Sequence, residues 1–222
     1  MKPGSADKFL VGTEEGKIYL CTTLYSSEVL KTYSAHNTPV QSICWNPFLT
    51  SVFITCASEL CVKIWNKDMD KPMFCFDLQS QVVDLVILGC VLTSILQVSD
   101  VCWAPYSSTI FAAVTIDGKV HIYDLSVNKY GPICVQPIVH KKKAKLNHLT
   151  FNPSHPVILV GDSSWVTHCL KLSPNCRRQD KEIKKATKNN DEALVRKLEV
   201  KKLERLLQQV SFSHDRDSEK PD

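Results

Sequence analysis

Motifs that carry chemistry are missing from these 222 residues. There is no G-x-S-x-G, no H-E-x-x-H, no phosphate loop G-x-x-x-x-G-K-[ST], and no defensible carboxylate pair. The readable signatures of acyl hydrolases, zinc peptidases and nucleotide hydrolases are therefore excluded, and neither an enzyme nor a cofactor is expected. The ten cysteines include no C-x-x-C pair and no clustered histidine partners, so neither a metal centre nor a disulfide framework is indicated. They read as reduced thiols of an intracellular protein, mostly serving as small apolar core residues. The N-terminal MKPGSADKFL lacks the apolar stretch of a signal peptide. The apolar run from Val86 to Leu96 falls well short of the ~20 residues that span a bilayer, so no membrane partner is expected. Charge of one sign is also lacking over most of the chain. Residues 1–170 hold 13 basic and 13 acidic side chains, whereas residues 171–222 hold 14 and 10, which is the whole net charge of +4. A neutral body argues against a nucleic-acid footprint, and the shift in composition marks a boundary near residue 172.

What is present is repetition. FLVGTEEGKIYLC (9–21), FITCASELCVKIW (53–65), FAAVTIDGKVHIY (111–123) and ILVGDSSWVTHCL (158–170) align without gaps. Each is a short apolar strand, a polar turn and an alternating strand, the pattern of a β-hairpin. Three are preceded by a strand ending in aromatic-x-Pro: VQSICWNPF (40–48), VSDVCWAPY (98–106) and LNHLTFNPS (146–154). Proline suits a strand end because it has no N–H to give the ladder. Further extended runs, such as PMFCFDL (72–78), complete a four-stranded unit with a period in the low forties. That periodicity predicts an all-β, partial WD40-type β-propeller of about three and a half four-stranded blades over residues 1–172. Since closure takes several more blades, the chain reads as a fragment or short isoform, with a smaller closed ring as the alternative.

The residues that mark the repeats are His36, Trp45, Trp65, Trp103, Asp117, Tyr123 and Asp124. IWN (64–66) and IYD (122–124) resemble the WD dipeptide, and Ala35-His36 resembles its Gly-His opening. In that family a His, a Ser or Thr, a turn Asp and the Trp can share a hydrogen-bonded network. The second unit keeps His36 and Trp65 but has Glu59 where the acid belongs. The third keeps Asp117 but lacks Gly-His and carries Tyr123 for Trp. With no full set, the blades are expected to rely on apolar packing rather than on that network. His36 is expected to stabilise a turn, not to act as a base, and His155 reads as a turn residue.

The ordered run of FLVGTEEGKIY, CWNP, VKIWN, PMF, WAPYSST, NKY, FNPSHP, ILVGD and CLKLSPN resembles the C-terminal half of axonemal dynein intermediate chains, the outer-arm type most closely. The resemblance covers about Lys8 to Asn175, roughly three-quarters of the chain. It implies a non-catalytic scaffold in the cytoplasm and cytoskeleton, at the cilium or flagellum axoneme. The implied partners are a dynein heavy chain and a second intermediate chain, and the light-chain-binding region is read as absent. The alternatives are a general WD-repeat adaptor that captures peptides on a propeller face, and an isoform that assembles with nothing.

Two stretches depart from the repeat. Trp45 and Trp103 are 58 residues apart instead of roughly 42, which indicates an insertion at about 82–97. It reads as an extra coding segment or, alternatively, a buried loop extension. Within it Gln81-Val82-Val83-Asp84 echoes Gln97-Val98-Ser99-Asp100, and only the second copy leads into Trp103-Ala104-Pro105, so that copy is expected to be the strand. Beyond the boundary, residues 173–190 read as a charged linker. Residues 191–210 carry Leu194, Leu198, Leu203, Leu206, Leu207 and Val210 at helical spacings, which predicts an amphipathic helix. It could dock a partner chain or pack back on its own blades. Residues 211–222 are expected to be disordered, and Lys141–Lys143 read as a solvated loop.

Overall fold

The computed structural model describes residues 7–24, 28–78, 97–138 and 144–218, with side chains as far as residue 209. Among the described residues, fourteen strands form four antiparallel sheets. The first sheet holds β1 (Lys8–Gly12), β2 (Lys17–Thr22) and β3 (Val29–Ser34). The second holds β4 (Val40–Trp45), β5 (Val52–Ala57), β6 (Cys61–Asn66) and β7 (Phe74–Asp77). The third holds β8 (Val98–Trp103), β9 (Ile110–Thr115), β10 (Lys119–Asp124) and β11 (Cys134–Pro137). The fourth holds β12 (Leu146–Phe151), β13 (Val157–Asp162) and β14 (Thr167–Lys171). In every sheet the strands lie in chain order, as a meander. The first sheet lacks the counterpart of β4 among the described residues, and the fourth lacks that of β7. The count is the three and a half units that the repeats predict.

Alternation along the middle strands explains why the sheets stack. All six residues of β5 are buried, as are all six of β9. Successive side chains of a strand point to opposite faces, so each of these strands must be covered on both sides. Phe53 packs with Ile18, Leu20 and Tyr33 of the first sheet. Its neighbours Val52 and Ile54 join Trp103 and Phe111 of the third. In turn Ile110, Ala112 and Val114 pack with Leu149, Ile158 and Val160 of the fourth. Three apolar layers thus fill the three gaps between four sheets.

Around the inner side, β4 lies beside β8, and β8 beside β12. Each of these inner strands carries a bulge at the same place, between Val40 and Ser42, Val98 and Asp100, and Leu146 and His148. A bulge bends a strand and increases its twist, and three in register fit a ring of inner strands. Val98–Trp103 is indeed the inner strand of its sheet; the rival copy at 81–84 and the rest of the expected insertion, apart from Gln97, lie outside the described residues, as do Lys141–Lys143.

The hairpin turns need glycine at two positions. Gly16 and Gly118 adopt φ of 79° and 85°, a region where other residues are strained. At Gly16 an added Cβ would also lie 2.1 Å from the His36 carbonyl oxygen. The approach is that close because the His36 N–H donates to the Gly16 carbonyl at 2.9 Å. Gly16→Ala is therefore expected to cost about 2 kcal/mol or more. Gly161→Ala, whose Cβ would meet nothing within 4 Å, should stay within about 0.5 kcal/mol. Urea unfolding midpoints of the two variants check the contrast.

The tail differs from expectation in two respects. Residues 173–190 are not a bare linker: a 3-10 turn, Pro174–Arg177, is followed by helix α1, Lys181–Lys188. Ile183 and Ala186, three residues apart, form a small buried face where α1 packs on the next helix. That helix, α2, is Glu192–Ser218, so it continues beyond residue 210 into the segment expected to be disordered.

Candidate functional site

The marks of the repeats come together as two structural clusters. In the second sheet Trp45 pairs across strands with Phe53, and Phe53 with Trp65. Their rings make an edge contact at 5.4 Å and a stack at 6.1 Å. The third sheet repeats the row with Trp103, Phe111 and Tyr123, at 5.5 Å and 4.6 Å. Cross-strand aromatic pairs of this kind are a main unit of sheet stabilisation.

The second sheet also contains the hydrogen-bonded network that its sequence was not expected to support. Trp65 Nε1–H donates to Thr55 Oγ1 at 3.0 Å, and Thr55 Oγ1 lies 2.9 Å from His36 Nε2. His36 Nδ1 is 2.6 Å from Glu59 Oε1. One proton arrangement satisfies every group. Trp65 donates to the Thr55 oxygen, the Thr55 hydroxyl donates to the Nε2 lone pair, and Nδ1–H donates to the carboxylate. Glu59 thus fills the acid's place, its extra methylene spanning the turn. The expectation that the blades do without the network is corrected for this unit.

The third unit is different at its hub: Ala113 occupies the place of Thr55. Its acid, Asp117, turns instead to Thr115 and to Lys119 Nζ, the latter at 2.6 Å. Asp124 Oδ1 accepts from Thr109 Oγ1 at 2.9 Å, and from the Ser126 N–H and hydroxyl at 2.9 and 2.6 Å. It is a strand-end acid that fixes two turns.

Burial holds the His36 pKa below the ordinary 6.5; hydrogen bonding and charge from Glu59 oppose this, and the Lys63 charge assists. His121 is lowered in the same way, by burial and Lys119 against the pull of Asp117. The unfolded chain therefore binds protons at these sites at a higher pH than the folded chain does. Stability that depends on the neutral imidazoles is fully present above about 6.5 and is lost as the pH falls through and below it. A drop in urea midpoint is expected between about pH 7.5 and about 5.5, and His36→Asn should flatten that slope.

Of the two roles left open for α2, packing back on the chain's own blades is the one observed. Leu203 and Leu207 are buried in the layer between the second and third sheets, with Leu206 packed against it. Between the elements lies a polar clasp that sequence reasoning missed. Glu199, fully buried, accepts through Oε2 from the Ser108 N–H at 2.8 Å and from its hydroxyl at 2.7 Å. The same hydroxyl lies 2.8 Å from the Glu199 carbonyl, and the Ser108 carbonyl accepts from Asn46 Nδ2 at 2.9 Å. The signal was legible: Glu199, Leu203 and Leu207 recur every four residues and share one stripe. Leu198 is half-buried beside α1, and Leu194 is exposed. The Val210 side chain lies outside the described residues.

A second missed residue joins the third and fourth sheets. Asp100, buried on β8, accepts the Leu149 N–H of β12 at 2.9 Å and lies 2.6 Å from His148 Nδ1. Its other oxygen takes the Val101 N–H at 2.8 Å. One carboxylate thus satisfies backbone on two inner strands.

Exposed apolar side chains lie at both ends of the stack and also on and beside the third sheet, at Val127, Tyr130 and Val135. Phe9, Val11, Val29 and Leu30 are exposed on the first sheet. Trp165 is 98% exposed in the turn between β13 and β14, with Val166 beside it. Among the described residues no three His, Cys, Asp or Glu side chains are grouped to hold a metal ion, and no helix is long and apolar enough to cross a membrane. The cleft between α1 and α2, about 290 Å³, is bordered by Lys201, Lys202 and Arg205, by Asp180 and Glu182, and by Ser126, whose hydroxyl is turned to Asp124.

Stacked antiparallel meanders, one of them carrying this network, define a class: the fold is that of WD-repeat β-propellers. The family model "WD domain, G-beta repeat" matches residues 27–66 and 90–124. A chain of the crystal structure of the mitotic checkpoint complex shares the fold, with a TM-score of 0.61 at 14% identity, covering 78% of this chain and 49% of that one. Within the class, the chain is similar to axonemal dynein intermediate chains. It is 48% identical over 200 residues to dynein intermediate chain 2, ciliary, of Heliocidaris crassispina, covering 90% of this chain and 26% of that protein. It is 50% identical over 202 residues to dynein axonemal intermediate chain 1 of Bos taurus, covering 91% and 26%. Against the 78 kDa intermediate chain of the flagellar outer arm of Chlamydomonas reinhardtii, identity is 41% over 175 residues, covering 79% and 23%. The chain spans about a quarter of the length of these relatives.

Proposed function

We propose that the chain is a non-catalytic scaffold subunit of an axonemal, outer-arm dynein complex, acting in the cytoskeleton of the cilium or flagellum. The observation that carries this reading is the 48–50% identity to ciliary and axonemal dynein intermediate chains over nine-tenths of the chain. The mechanism is positional. A stack of sheets with continuous apolar layers holds its surface loops in fixed relation, so it can bind a motor heavy chain rigidly, with a second intermediate chain alongside. ATP hydrolysis belongs to the heavy chain, and motility depends on this subunit through placement. The loop face over the second and third sheets is taken by α2, so the contacts are assigned to the exposed apolar residues at the ends of the stack, Trp165 and Val166 above all. The test is affinity capture with the tagged chain from ciliated cells. Dynein heavy chain should be recovered, and Trp165→Ala with Val166→Ser should reduce the yield. Recovery of unrelated cytosolic complexes alone would refute the reading.

A further inference from the structure

The outer margin of the second sheet holds two thiols placed for chemistry that a scaffold does not need. Cys61 lies on β6 and Cys75 on β7, with their sulfurs 3.1 Å apart. In the register, Cys61 stands opposite Asp77 and Cys75 opposite Lys63. The two cysteines are therefore diagonal neighbours on one face of the sheet. Cys75 is exposed and Cys61 half-buried. By contrast Cys56, one strand further in, is fully buried, and burial pushes its thiol up.

We propose that Cys61 and Cys75 form a reversible thiol–disulfide site that reacts with small-molecule disulfides of the oxidised glutathione type. The exposed Cys75, as thiolate, attacks one sulfur of the small disulfide; that S–S bond breaks, a mixed disulfide forms on Cys75, and one small thiolate departs. Cys61 then loses its proton, attacks the Cys75 sulfur and displaces the second small thiolate. Two protein thiols are oxidised to one disulfide, one small disulfide is reduced to two thiols, and the two protons pass to the departing thiolates. Cys61 suits the second role. Burial and the neighbouring Cys75 hold its thiol up, with Lys63 opposing, and the contribution of Cys75 as an ionisable neighbour disappears once that sulfur is capped.

Closing the bond brings the sulfurs from 3.1 Å to about 2.05 Å. Strand β7 can supply the movement, being a four-residue edge strand. Diagonal partners stand at or beyond the usual Cα reach of a disulfide, so closure needs the strand to shift, which suits a reversible clip more than a structural bridge. Once closed, it fastens the outer strand to the sheet.

The full chain is incubated with oxidised glutathione, remaining thiols are alkylated, and tryptic peptides are mapped. Lys63 and Lys67 separate the two cysteines, so the disulfide joins two peptides. A linked pair reversed by dithiothreitol is expected. Cys61→Ser should accumulate glutathione on Cys75 several-fold above the unaltered chain, because nothing resolves the mixed disulfide. Cys75→Ser should leave Cys61 largely unmodified. The proposal is overturned if Cys75 carries glutathione equally in the unaltered chain and in Cys61→Ser with no linked pair. It is also overturned if the linked pair forms equally well in denaturant, since the fold would then play no part.

Discussion

Thr55→Val lowers the stability of the chain by about 2–6 kcal/mol, the cost of leaving two buried polar groups without partners at roughly 1–3 kcal/mol each. Valine matches threonine in shape, so packing is preserved and only the hydroxyl is lost. Trp65 Nε1–H loses its acceptor and His36 Nε2 its donor, since both meet on the one Thr55 oxygen. Thr55→Ser, which keeps the hydroxyl and removes a methyl, should cost less than about 1.5 kcal/mol. Urea unfolding at neutral pH measures both. Equal losses for Val and Ser would mean that packing alone stabilises the sheet and the network contributes nothing. The third sheet is the internal control. It has Ala113 at the hub and Tyr123 where Trp65 stands, so hub and indole are absent together.

The second large effect is expected in α2. Leu203→Ala should cost about 2–5 kcal/mol, as for a leucine fully enclosed in a core. Leu203→Asp should release the helix altogether, because a carboxylate cannot remain unpaired in that layer. Hydrogen exchange over residues 192–209 would then approach that of a free peptide. Glu199→Ala should weaken the same contact by about 1–3 kcal/mol, since it leaves the buried Ser108 N–H without an acceptor. Leu194→Ala is the control: 43% exposed, it should change stability by no more than about 0.5 kcal/mol. If Leu194 and Leu203 behaved alike, the helix would not be seated on the blades.

The blades were legible in the sequence because their signals are local and repeated. A positive-φ glycine in Asp117-Gly118, alternation across β10, and aromatic-x-Pro at the ends of β4, β8 and β12 each act within a few residues. Their recurrence removed the ambiguity of any single hairpin. The network was misread because position was judged by residue type. Glu59 was counted as a missing aspartate, although what the imidazole needs is a carboxylate oxygen within reach, and a glutamate supplies one.

The tail was only half legible. Leucine spacing announced α2, but its partner surface is assembled from Ser108, 91 residues before Glu199, and from the interior of the second and third sheets. Nothing local to the helix encodes whether its stripe meets another chain or its own. In α1 the buried face is only Ile183 and Ala186, too few among lysines to stand out. Asp100 was hidden for a related reason, since its work is to satisfy the Leu149 N–H on another sheet.

The sheets are expected to be stable only as a stack, with β5 and β9 covered on both faces by neighbouring sheets. Native-state hydrogen exchange with peptide-level resolution tests this most directly. Strands β5 and β9 should exchange slowest and open together, at one free energy, while β7 and β11 at the margin exchange much faster. If β4–β7 and β8–β11 opened independently, at separate free energies, the sheets would be self-contained units and the stacked scaffold would be wrong.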